Sequence, residues 1–132
     1  MPADANAFYE NAMISIKPEV KNLIEKNANK LTGHKVNVDS LIKELHKNAL
    51  LKNGNDKDLE AITVLILVQV SKNADSKLKD IVIHMRQPGA DAESYKTATA
   101  LLVQNKSDIA ESVSLIMKKI SGAPEMVMDK FK

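Results

Sequence analysis

Asp80 and His84 stand four residues apart in "DIVIH". That spacing puts a carboxylate and an imidazole on one face of a helix. Such a pair could orient an imidazole for proton transfer or supply two ligands of a metal site. A metal needs further ligands, and no HExxH or Glu-x-x-His pair accompanies it. Glu44 and His46 in "ELH" lie two apart, on different sides of a helix, and His34 follows Gly33 in a connector. The histidines therefore read as surface groups. No metal or cofactor is expected, and a small-ligand or metal-binding bundle built on Asp80 and His84 stands only as an alternative.

Other catalytic chemistry finds less support. The chain has no Cys, which excludes thiolate nucleophiles, Cys-type zinc sites and disulfides. Its serines form neither a GxSxG elbow nor an SxxK motif. The four glycines are isolated, so no phosphate-cradling loop is present. The acidic clusters Asp56/Asp58/Glu60 and Asp91/Glu93 fall where helices should begin, and there they complement the helix dipole. The expected protein is not an enzyme.

Charge argues similarly. Net charge is +2, and of nineteen basic residues only Arg86 is arginine. Nucleic-acid sites combine clustered Arg and Lys with stacking aromatics, whereas the aromatics here are Phe8, Tyr9, Tyr95 and Phe131. No nucleic-acid partner is expected. Lys17 to Asn53 carries eight Lys against Glu19, Glu25, Asp39 and Glu44. That excess could meet an acidic partner, but it reads first as a solvated helix surface.

The elements that must position any site follow from Gly, Pro and periodicity. The 132 residues suit a single helical domain with a core of Leu, Ile, Val, Ala and Met. "MPADANAFYENA" lacks a basic stretch followed by an apolar one, so no signal peptide is expected in this chain. A cytoplasmic setting is favoured, with export open. Gly33, Gly54, Gly89 and Gly122 each follow an apolar-periodic segment, as residues just past a helix do. Shorter N-terminal helices are predicted over about 5–31, where Pro18 kinks the helix or opens a new one, and over about 40–52, with Asp39 as cap. A short C-terminal helix is predicted over about 124–131, either docked on the bundle or presented as an apolar hook.

The decisive segment is "AITVLILVQV", Ala61 to Val70, in which only Thr63 and Gln69 are polar. Its β-branched residues would suit a strand. Three features favour a helix. Asn55 and Asp56 are cap candidates followed by acidic residues. No Gly or Pro interrupts Leu59 to Arg86. Val64, Leu67, Ser71, Ala74, Leu78, Ile81 and Met85 keep three- and four-residue steps. Lys72 ends the run far short of the roughly 20 apolar residues a membrane span needs, so membrane association is not expected either.

After "RQPGADAE", with Asp91 as cap, Thr99, Leu102, Lys106, Ile109, Val113, Ile116 and Ile120 repeat those steps. Ser107 or Asp108 could restart a helix there; continuity is preferred. The fold class is thus all-α, a helical bundle built on a long antiparallel coiled-coil-like hairpin, about 57–86 and 92–121.

On a helix, Ala61 to Val70 is apolar around the whole circumference. It must be central in its own domain or covered by another chain. The expectation is a non-enzymatic interaction protein acting through helix packing, either with itself or with another helical protein. The candidate contact residues are Ile62, Leu65, Ile66 and Val70, with Met126, Met128 and Phe131 as a second surface. A subunit or small chaperone of an export assembly is an alternative drawn from architecture alone.

Overall fold

The computed structural model describes residues 1–120 and 128–132. Within them the chain is all-helical: α1 (Ala3–Met13), α2 (Pro18–Leu31), α3 (Val38–His46), α4 (Asp56–Met85) and α5 (Ala92–Lys119). Single 3-10 turns lie at Ala49–Leu51 and Met128–Phe131. Pro18 opens α2 in its first turn rather than kinking a longer helix. Both hairpin helices are continuous, so the polar patch around Ser107 and Asp108 does not break α5.

Local chemistry sets the helix starts. Asn55 accepts from the Asp58 backbone N–H at 2.9 Å, and the Asp58 carboxylate accepts from the Asn55 N–H at 2.8 Å. This reciprocal box satisfies two amides that the first turn leaves open. Asp91 caps α5 through the amides of Glu93 and Ser94 and the Ser94 hydroxyl. That hydroxyl, helped by the two amides, holds the Asp91 carboxyl below its ordinary value. At α3 the cap is Asn37, which accepts from Ser40, and not the predicted Asp39, which lies inside the first turn.

α4 is the axis of the bundle, packed against α1, α2, α3 and α5. Every residue from Ala61 to Val68 is buried, as is Val70. An all-round apolar helix is stable in water only when neighbours cover all its sides, and here this chain supplies them. Thr63, the polar residue near the start of the run, donates its hydroxyl proton to the Leu59 carbonyl at 2.8 Å. It is thereby satisfied within its own helix. Among the described residues, no helix is long and apolar enough to cross a membrane.

The Met128–Phe131 turn closes the core near the start of α4. Met128 and Phe131 are buried, and the Phe131 carbonyl accepts from the Lys17 N–H at 2.7 Å. The Lys130 ammonium donates to Asp58, 2.9 Å away, whose side chain is only 3% exposed. One lysine thus compensates a carboxylate that would be costly to bury alone. Met128 and Phe131 are docked on the bundle, whereas Met126, Gly122 and Pro124 lie outside the described residues.

Candidate functional site

Ile62, Leu65, Ile66 and Val70 have no exposed surface. These are the positions expected from the sequence to contact another chain, and within this chain they are packed inside. α1, α2, α3 and α5 already cover α4, so the side chains serve this protein's own core. Met128 and Phe131 likewise belong to the core.

Apolar surface is left uncovered elsewhere. The last buried residue of α4 is Ala74 and the first of α5 is Leu102; nothing from Asp75 to Leu101 is buried. The hairpin therefore leaves the bundle as a two-helix arm, which from Ala74 to Met85 extends roughly 17 Å at ~1.5 Å per residue. Leu78 and Ile81 are half-buried in the seam predicted from the sequence, while Met85 is exposed. On the flanks, Val82 is 50% exposed, Ile83 55% and Leu101 58%, and Val103 is similarly open. Isolated exposed aliphatics are ordinary, but a group of them on one projecting element marks a contact surface.

Two surface concavities border this arm. One runs along α4 past Asp75, Leu78, Lys79, Val82 and Ile83 and encloses about 610 Å³. The other, about 370 Å³, lies between the helices and the α2–α3 turn. Ile81, Ala98, Leu101 and Leu102 form its apolar wall, and Asp80 and His84 both reach it. Both of these polar residues are exposed. No group of three His, Cys, Asp or Glu side chains among the described residues is placed to hold a metal.

A polar collar fixes the base of the arm. It is built by the last turn of α2, which holds α4, and by the turn just after it, which holds α5. On α4, the Asn73 side-chain amide donates to the Asn29 side-chain Oδ1 at 3.1 Å and to the Thr32 hydroxyl at 3.2 Å. Asn73 also accepts from Gln69, which in turn accepts from the Tyr9 hydroxyl of α1. Burial, with Glu25 and Glu10 nearby, raises the Tyr9 hydroxyl pKa above its ordinary value; the phenol therefore remains a donor. On α5, Asn105 accepts from the Gly33 N–H at 3.2 Å and donates to the His34 carbonyl at 2.6 Å. Gly33 adopts φ of +81°, a left-handed conformation that suits glycine and turns the chain toward Asn105.

Sequence periodicity puts Lys106, not Asn105, in the seam. In the fold Asn105 points inward, and Lys106 lies at the edge, where its ammonium pairs with Asp75 across the hairpin. A neutral amide can satisfy both a donor and an acceptor in a closed position, which an ammonium cannot. Asn105→Ala is expected to destabilise the protein by about 1–3 kcal/mol, because a partly buried amide and carbonyl lose their partner. Urea denaturation followed by circular dichroism checks this. An unchanged midpoint would mean that the Asn105 bonds contribute nothing to stability.

Comparison with protein-family models, with curated proteins and with solved structures finds no match to this chain.

Proposed function

We propose that this chain is a non-enzymatic helical interaction protein that associates with a second copy of itself through the exposed arm of its α4–α5 hairpin. The observation that carries this reading is the unburied apolar arm, beginning where burial stops at Ala74 and Leu102. A bare pair of helices has apolar flanks that water disfavours, and a second helical pair laid against it makes a four-helix arrangement that covers them. The collar supports the same reading. Asn73 and Asn105 anchor both helices to α2 and the turn after it, immediately below the arm, so less conformational freedom is lost when the surface binds. The absence of Cys and of nucleophile motifs in the sequence supports a role without catalysis.

Light scattering coupled to size-exclusion chromatography, over a roughly hundredfold concentration range, tests the proposal. The wild type is expected to pass from monomer to dimer, and the double variant Val82→Ser/Leu101→Ser to remain monomeric with its helix content intact. A wild type that stays monomeric throughout would refute self-association through the arm.

A further inference from the structure

Asp75, Lys79, Val82 and Arg86 follow one another along α4 and its C-cap at steps of four, three and four. Eleven residues make about three helical turns, so all four share one stripe along the helix. Each is exposed. Leu78 and Ile83 flank the stripe on opposite sides, and the larger concavity follows it.

The stripe reads the same in either direction by spacing and is opposite in charge at its ends. Its midpoint falls between Asp80 and Ile81. A two-fold axis crossing α4 there needs no other surface, since an isologous contact uses one patch twice. We infer that two copies pack antiparallel along this stripe of α4, with Asp75 of each copy paired to Arg86 of the other and each Val82 covered by the facing Lys79 stem. This inference rests on the proposed self-association through the arm and adds its register.

The chemistry at each end is compatible with the fold as it stands. Asp75 already receives the Lys106 ammonium on its Oδ1 oxygen, and its second oxygen stays able to accept from a guanidinium. Arg86 is the single arginine of the chain and stands at the C-cap of α4. Its planar fork suits a carboxylate better than a lysine ammonium does. The stripe and its two flanking residues are far fewer than the roughly 20–30 residues per side of a standard interface. Association is therefore expected to be weak and strongly dependent on concentration and salt.

Charge reversal tests the register. Asp75→Lys alone sets Lys against Arg86, and Arg86→Asp alone sets Asp against Asp75; each is expected to weaken self-association about tenfold or more. An equimolar mixture of the two variants restores both attractive pairs and is expected to associate about as well as the wild type. Sedimentation equilibrium reads all three samples, and circular dichroism checks that the exposed substitutions leave the helices folded. Arg86→Asp leaves the Asp75–Lys106 pair untouched, which separates the contact between copies from the one within a chain. Single variants that associate like the wild type, or a mixture no tighter than either variant alone, would overturn the register while leaving self-association standing. A wild type that is monomeric at every concentration would overturn both.

Discussion

Ile66→Asp is expected to abolish the folded state. Ile66 has no exposed surface and lies in the stretch of α4 that four other helices enclose. The substitution forfeits about 1.5–3 kcal/mol of aliphatic burial. It also places a carboxylate inside the apolar core cluster, at a cost of several kcal/mol more. A domain of ordinary stability has only about 5–15 kcal/mol in total. Ile66→Val, which removes one methylene, is expected to cost only about 0.5–1.5 kcal/mol. Far-UV circular dichroism during thermal and urea unfolding distinguishes the two. A cooperative transition near the wild-type midpoint in Ile66→Asp would mean that α4 is not enclosed by its own chain.

Phe131→Ala is expected to cost about 3–5 kcal/mol, a large effect for a residue held in a single short turn. The ring is buried close to Gly54, where an added Cβ would come within 3.5 Å of it. Phe131 also anchors a set of bonds that act together. Its carbonyl receives the Lys17 N–H at the start of α2, and its neighbour Lys130 reaches Asp58 in the capping box of α4. Loss of the ring lets the Met128–Phe131 turn leave as a unit, so the entry to α2 and the buried Asp58 both lose a partner. Phe131→Leu should retain most of the stability, and Lys130→Met should cost less than Phe131→Ala because the Asp58 carboxylate keeps its bond from the Asn55 N–H and the core keeps the ring. Urea midpoints for the three variants check the order. Equal stability of Phe131→Ala and the wild type would show that this turn contributes nothing to the core.

Much of this architecture is legible from neighbouring residues. Asn55, Asp58 and Asp91 announce helix starts because capping is settled within one turn. The bounds of α4 and α5 follow to within a residue or two from those caps and from the periodic steps between them. Where sequence and structure differ, the signal is degenerate. Asn37 and Asp39 are both acceptable caps, and the backbone at Asn37 decides between them. Between Leu102 and Ile109 a step of three then four, through Asn105, fits the rhythm as well as four then three, through Lys106. The choice falls to Asn105 because the turn at Gly33 and His34 offers a donor and an acceptor together. The bonds between Asn73 and the end of α2 span more than forty positions in the chain, beyond the reach of periodicity.

That Ala61 to Val70 is helical and needs cover on every side follows from the residues alone, since periodicity, caps and hydropathy are properties of adjacent turns. What provides that cover is a matter of the folded chain. Four helices close around α4 up to Ala74; beyond it α4 keeps α5 as its neighbour and Asp75 to Leu101 form the exposed arm. Burial depends on which distant segments arrive at a surface. The same apolar spacing therefore makes a sealed core at Ile66 and an open flank at Val82.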